Sequence, residues 1–110
     1  MIMSKEPEKW EVWFANVRYE DNPTIVKKRP VIIYDKQHAF IISLKVTGQM
    51  PRNNKTEYVL QRWSEAGLDT VSTVRLSKQL KILRSDYIHK IGNLRTKDIM
   101  GIKVKIMGMQ

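Results

Sequence analysis

One stretch constrains the fold of this chain more than any other. Residues 29–35 (RPVIIYD) place Val31, Ile32 and Ile33 in an unbroken β-branched run. Such a run suits a strand buried on both faces. Residues 35–37 (DKQ) follow, short enough for a hairpin turn, and residues 38–47 (HAFIISLKVT) read as the return strand. There Phe40, Ile42, Leu44 and Val46 alternate with Ile41, Ser43, Lys45 and Thr47, the period of a pleated strand. Pro30 has no N–H to give a ladder, so it belongs near a strand start or on an edge.

The same punctuation recurs along the chain. Residues 10–17 (WEVWFANV) read as a first strand, and residues 18–28, with Asp-Asn-Pro and two lysines, as a loop. Residues 48–55 form a second polar loop and 56–61 a short strand. Residues 63–68 predict a turn of helix stopped by Gly67. Residues 70–76 and 79–83 suggest two further strand segments. Ser85 then has the position of a helix N-cap, with Asp86 in the first turn, Ile88 and Ile91 on one face, and Gly92 as the stop. Thr96 and Asp98 suit the start of a last helix, although Ile102, Val104 and Ile106 equally suit a strand. The sum is mainly β, a small antiparallel β-barrel or sandwich with short helices. We read residues 1–9 as a flexible N-terminal tail and 10–110 as a single domain.

Charge narrows the partners. The net charge is +9, and residues 75–110 alone hold nine basic residues against two acidic ones. That excess favours an anionic partner, nucleic acid above all. There is no cysteine, which removes disulfides, thiolate zinc sites and cysteine nucleophiles. No apolar run approaches the ~20 residues of a membrane span, and the N-terminus carries acids and a proline where a signal peptide has an apolar stretch. The expected location is therefore cytoplasmic, with no membrane association. The acids are scattered and the two histidines, His38 and His89, have no ligand spacing, so neither metal nor cofactor is expected.

Lys27, Lys28 and Arg29 form three consecutive cations at the entrance to the buried strand. A guanidinium held on a strand is a rigid fork for phosphate. Thr47 ends the return strand, and a tight hairpin near 35–38 brings it to the same end as Arg29. On composition alone the basic run is also an ordinary solvated strand cap.

These pieces resemble the MazF/PemK family of toxin ribonucleases. The aromatic first strand comes first, then Arg29-Pro30-Val31-Ile32-Ile33, similar to the family's R-P-V strand. Lys45-Val46-Thr47 resembles its hydrophobic-Thr strand end; Gly67-Leu68 with Ser72-Thr73-Val74-Arg75-Leu76 its G-L…S-x-V-R-L segment; and Lys90-Ile91-Gly92-Asn93-Leu94 its K-I-G-x-L helix end. The loop before Arg29 departs from the family in having no glycine. The resemblance implies an SH3-like barrel of the MazF/PemK/CcdB toxin type, acting as a homodimer. It implies metal-independent, sequence-selective cleavage of single-stranded RNA to 2′,3′-cyclic phosphate and 5′-hydroxyl ends. Arg29 and Thr47 take the catalytic positions, and Lys27, Lys28, Gln49, Arg52 and Lys55 are expected to bind RNA. A cognate antitoxin with an acidic, partly disordered C-terminal segment is the implied partner. The alternative is a non-catalytic basic module of the same fold, binding nucleic acid or a protein target as the CcdB type does.

Overall fold

The central hairpin of the chain is β2 (Val26–Lys36) with β3 (Ile41–Thr47). A computed structural model describes residues 6–18 and 21–109. β1 (Glu11–Arg18) pairs with the other side of β2, and β6 (Tyr87–Asn93) pairs with β1. On the far side β5 (Thr73–Ile82) pairs with β3, and the short β4 (Glu57–Val59) with β5. The result is one six-stranded antiparallel sheet in the order β4-β5-β3-β2-β1-β6. Helix α1 (Thr96–Gly108) closes the chain. The expected mainly-β class holds.

The sheet has two apolar faces. On one, Val12, Ile32, Leu44, Val46 and Val74 pack under Leu60, Ala66 and Leu68 of the β4–β5 connection and under Ile102 of α1. Ile99 and Ile106 flank Ile102 at helical spacing, whereas Val104 is 65% exposed. That difference decides between the two periods open in the C-terminal segment: the helix buries one stripe. On the other face Ala15 and Val31 pack with Ile82, and Val17 and Leu80 join them. β1 and β5 are not neighbours in the sheet, so their side chains meet only because the sheet curls over this face. Ser43 and Tyr87 share a hydrogen bond across the curl at 2.6 Å.

Several segments depart from expectation. Residues 85–91 are not a helix: Arg84–Asp86 form a single 3-10 turn, and Tyr87 starts β6. The open edge of β1 satisfies that backbone better than an isolated helical turn would. Gly92 is not a stop signal either. A Cβ there would meet the Ala66 carbonyl oxygen at 2.3 Å, so glycine permits the close approach of β6 to the 63–67 turn. Gly67 does end that turn, at φ +94°. Leu68 N–H donates to Trp63 O and Gly67 N–H to Ser64 O, a Schellman pattern.

The segments 70–76 and 79–83 are one strand, β5. Its partners on β3 jump from Lys45↔Arg75 to Leu44↔Gln79, so Leu76, Ser77 and Lys78 are extra residues in the ladder. The expected loop 18–28 ends early, because Val26, Lys27 and Lys28 pair with β1. The hairpin turn begins two residues later than expected, closed by Gln37 N–H on Phe40 O, and the return strand starts at Ile41, three residues later than expected. Pro30 lies inside β2 rather than at its start. It is tolerated because the β2–β3 ladder begins at Val31, just past the residue that has no N–H. Residues 1–5 of the expected tail lie outside the described residues. Of the rest, Pro7 is buried, and Glu6 and Glu8 both pair with Lys36.

Candidate active site

Strand pairing places the candidate residues. Val31 stands opposite Lys45 in the β2–β3 ladder. That rung ends the ladder, and Arg29 on β2 and Thr47 on β3 each lie two residues beyond it, at the same end of the hairpin. Directly opposed residues share a face, as do residues two apart on a strand, so Arg29 and Thr47 point to the same side as Lys45. Lys45 in turn stands opposite Arg75, and Arg75 opposite Glu57. On the other side of β2, Arg29 pairs with Ala15 and Lys27 with Val17. The curled face thus runs from the apolar Trp13–Ile33–Ile41 cluster, through Ala15–Val31–Ile82, to a mouth of Arg29, Thr47, Lys45, Arg75 and Lys27.

Lys28 alternates to the opposite face, opposite Asn16. There Lys28, Arg29, Pro30, Thr47 and Gly48 border a cleft of about 340 Å³ that also takes in Phe14, Leu68, Thr70 and Ile91. Arg29 and Thr47 therefore sit on the rim between the mouth and this cleft. Both are half-buried. Arg29, Lys27 and Lys28 form no ion pair with a carboxylate among the described residues.

The loop after β3 is tied to the same rim. Gln49 N–H donates to Thr47 Oγ1 at 3.2 Å, and Arg52 Nη2 donates to Gln49 Oε1 at 3.3 Å. Arg52 N–H donates to Glu57 Oε1 at 2.8 Å, while Arg75 Nε donates to Glu57 Oε2 at 3.3 Å. The Arg52 amide and the Arg75 guanidinium together hold the Glu57 carboxyl below its ordinary range. One buried carboxylate thus orients a basic side chain of the mouth and the loop beside it. Lys105 of α1 steadies the loop from outside, donating to the Asn54 carbonyl and, at 2.7 Å, to that of Glu57.

Of the seven expected site residues, Lys28, Arg29 and Thr47 meet at one cleft, Lys27 shares the Arg29 face, and Gln49 and Arg52 connect to Thr47 through hydrogen bonds. Lys55 does not join them; it lines a separate cleft with Lys105 and Met109. The reading of the sequence missed Lys45 and Arg75 as members of the mouth. His89 touches the cleft only through Phe14, ring to ring at 5.5 Å. Among the described residues no three His, Cys, Asp or Glu side chains converge as a metal cage would require. No helix among them is long and apolar enough to cross a membrane.

Neither a known family model nor a curated protein matches the chain by sequence. Among solved structures, the Mycobacterium tuberculosis toxin MazF-mt6 superposes with a TM-score of 0.66, covering 86% of this chain and 91% of that one at 18% identity. The fold is MazF-like. At that identity the superposition speaks for the architecture, and the MazF-like sheet is what presents Arg29 and Thr47 on one rim.

Proposed function

We propose that this chain is the toxin of a type II toxin–antitoxin pair and cleaves single-stranded RNA without a metal. The observation that carries the reading is that Arg29 and Thr47, at the same end of the β2–β3 hairpin, border one cleft beside a basic concave face. The MazF-like fold and the net charge of +9 support it.

The chemistry needs little from the protein beyond charge and geometry. The RNA 2′-hydroxyl gives up its proton to solvent as its oxygen bonds to the adjacent phosphorus, the P–O5′ bond breaks, and the departing oxygen takes a proton from solvent and leaves as a 5′-hydroxyl. The other product is a 2′,3′-cyclic phosphate. Arg29 stabilises the charge that builds on the phosphorane oxygens. Thr47 donates a hydrogen bond to one of them, its oxygen already oriented by the Gln49 amide. A guanidinium with a pKa above ~12 stays protonated, so Arg29 acts as an electrostatic clamp and not as the base. Lys27, Lys28, Lys45 and Arg75 attract the phosphate backbone, and Gln49 and Arg52 contact the substrate from the loop. An acidic antitoxin segment is drawn to the same basic mouth. The working form in this reading is a cytoplasmic homodimer.

The test is incubation of the protein with a long single-stranded RNA in excess EDTA, beside Arg29→Ala and beside a DNA copy of the substrate. Discrete fragments from the unmodified protein and RNA alone, carrying cyclic phosphate ends, are expected. Intact RNA from folded protein overturns the reading in favour of a non-catalytic binding module. Cut DNA overturns the role of the 2′-hydroxyl.

A further inference from the structure

Two backbone irregularities bring two aromatic rings together far from Arg29. Trp10 has φ +71°, the one non-glycine positive φ among the described residues. A side chain strains that conformation, whereas glycine adopts it freely. The backbone of Trp10 is nonetheless fixed on both sides: its N–H donates to Ile33 O at 2.7 Å, and its carbonyl accepts the Leu94 N–H at 3.0 Å. Tyr34 is the extra residue of the β2 ladder, where partners on β3 pass from Ile33↔Ser43 to Asp35↔Ile42. Bulges re-aim side chains. The two rings meet edge to face, 5.7 Å apart at 73°.

Cations stand over them. Lys9 Nζ lies 5.3 Å from the Trp10 ring and 5.2 Å from that of Tyr34, and Lys103 Nζ of α1 lies 6.0 Å from Trp10. With Ile106 and Met107 these four residues line a cleft of about 310 Å³. Both rings are half-buried, packed on one side against the core, and neither lysine pairs with a carboxylate among the described residues. The strained backbone sets the Trp10 ring with one side against the core and the other on this cleft.

We propose that this cleft is a second contact for single-stranded RNA, in which a base stacks on the Trp10–Tyr34 pair and the Lys9 and Lys103 ammonium groups hold the adjoining phosphates. The proposal rests on RNA being the substrate at the Arg29–Thr47 rim. Alternating π-faces and cations match the alternation of base and phosphate, and stacking of this kind tolerates any base. An acidic peptide would use the cations but leave the rings idle. Tyr34 lies five residues from Arg29 along β2, roughly 16 Å at ~3.3 Å per residue. The cleft lies on the helix side of the sheet, whereas Arg29 faces the curled side, so it engages nucleotides beyond the cut bond where the strand has crossed to the helix side.

The experiment measures equilibrium binding of a labelled RNA of about 16 nucleotides by Arg29→Ala protein, alone and combined with Lys9→Ala/Lys103→Ala or with Trp10→Gly. The lysine pair is exposed, so its removal spares the core. Glycine suits the backbone at position 10. We expect each combination to weaken binding about tenfold, and the lysine pair to lower the salt slope by about 1.4. With a strand of the same length lacking bases, the lysine effect persists and the Trp10 effect vanishes. Unchanged RNA binding in both combinations, with cleavage by the unmodified protein intact, overturns the cleft and leaves the ribonuclease standing. RNA that neither binds nor is cut overturns both. A polyglutamate peptide that loses affinity on these substitutions while RNA does not would assign the cleft to a protein partner and overturn the proposal.

Discussion

Arg75 and Glu57 face each other across one rung of β5 and β4, and the carboxylate of Glu57, 6% exposed, joins that arginine to the amide of Arg52. The pair links the floor of the basic mouth to the loop that carries Gln49.

Glu57→Gln is expected to lower RNA cleavage several-fold by releasing Arg75 and the 49–56 loop, and to lower stability at neutral pH. The carboxyl lies below its ordinary 4.5 when folded. Its contribution is therefore present above the unfolded value and is lost as pH falls through the folded one. Urea unfolding of both proteins from neutral pH to below 4.5 should show the gap closing. A gap independent of pH would mean the carboxylate charge contributes nothing.

Arg29→Lys retains the charge and loses the planar fork. We expect cleavage to fall about 10²-fold or more, close to Arg29→Ala, since a point charge does not replace a bidentate clamp. Stability should stay within about 0.5 kcal/mol, because the side chain is half-open and forms no ion pair with a described residue. Near-normal activity in Arg29→Lys would reduce the role of Arg29 to general attraction.

Asp98 holds the helix to the sheet. It is fully buried in the first turn of α1 and accepts three hydrogen bonds, from Tyr58 Oη at 2.8 Å and from the Gln61 and Arg62 amides at 2.9 Å. Asp98→Ala orphans all three donors and should cost about 3–5 kcal/mol. Denaturant unfolding measures this directly; a loss under about 1 kcal/mol would show that water replaces the carboxylate.

Tyr87→Phe leaves the Ser43 hydroxyl buried without its partner, at a cost of about 1–2 kcal/mol. Burial pushes the Tyr87 phenol up to about 12 from 10.0. For an acid raised on folding, the contribution is present below the unfolded value and is lost as pH rises through the folded one. The stability difference between the two proteins should therefore shrink between pH 10 and about 12. A constant difference would place the phenol in contact with solvent.

The β2–β3 hairpin was legible because its apolar run and its alternation are both strand signals, and the convergence of Arg29 with Thr47 follows from that hairpin alone. Gly67 was legible because a Schellman stop is a local event. β6 was not. Ile88 and Ile91 have helical spacing, and the strand shifts register twice against β1, so no period of two survives in its burial. Lys27 and Lys28 looked like loop because strand pairing through the backbone leaves their side chains exposed. Lys45 and Arg75 gave no signal as site residues, since their rung depends on three extra residues in β5 whose number no local pattern reveals.

The pleat of β2 divides the basic run: Lys27 and Arg29 go to one side of the sheet and Lys28 to the other. Three adjacent letters thus become a hem of positive potential around the end of the sheet. With a screening length of about 8–10 Å in physiological salt, a polyanion can pass over that end from one side to the other without leaving attractive potential. The same cations then serve it twice, as a landing point and as a corner to turn.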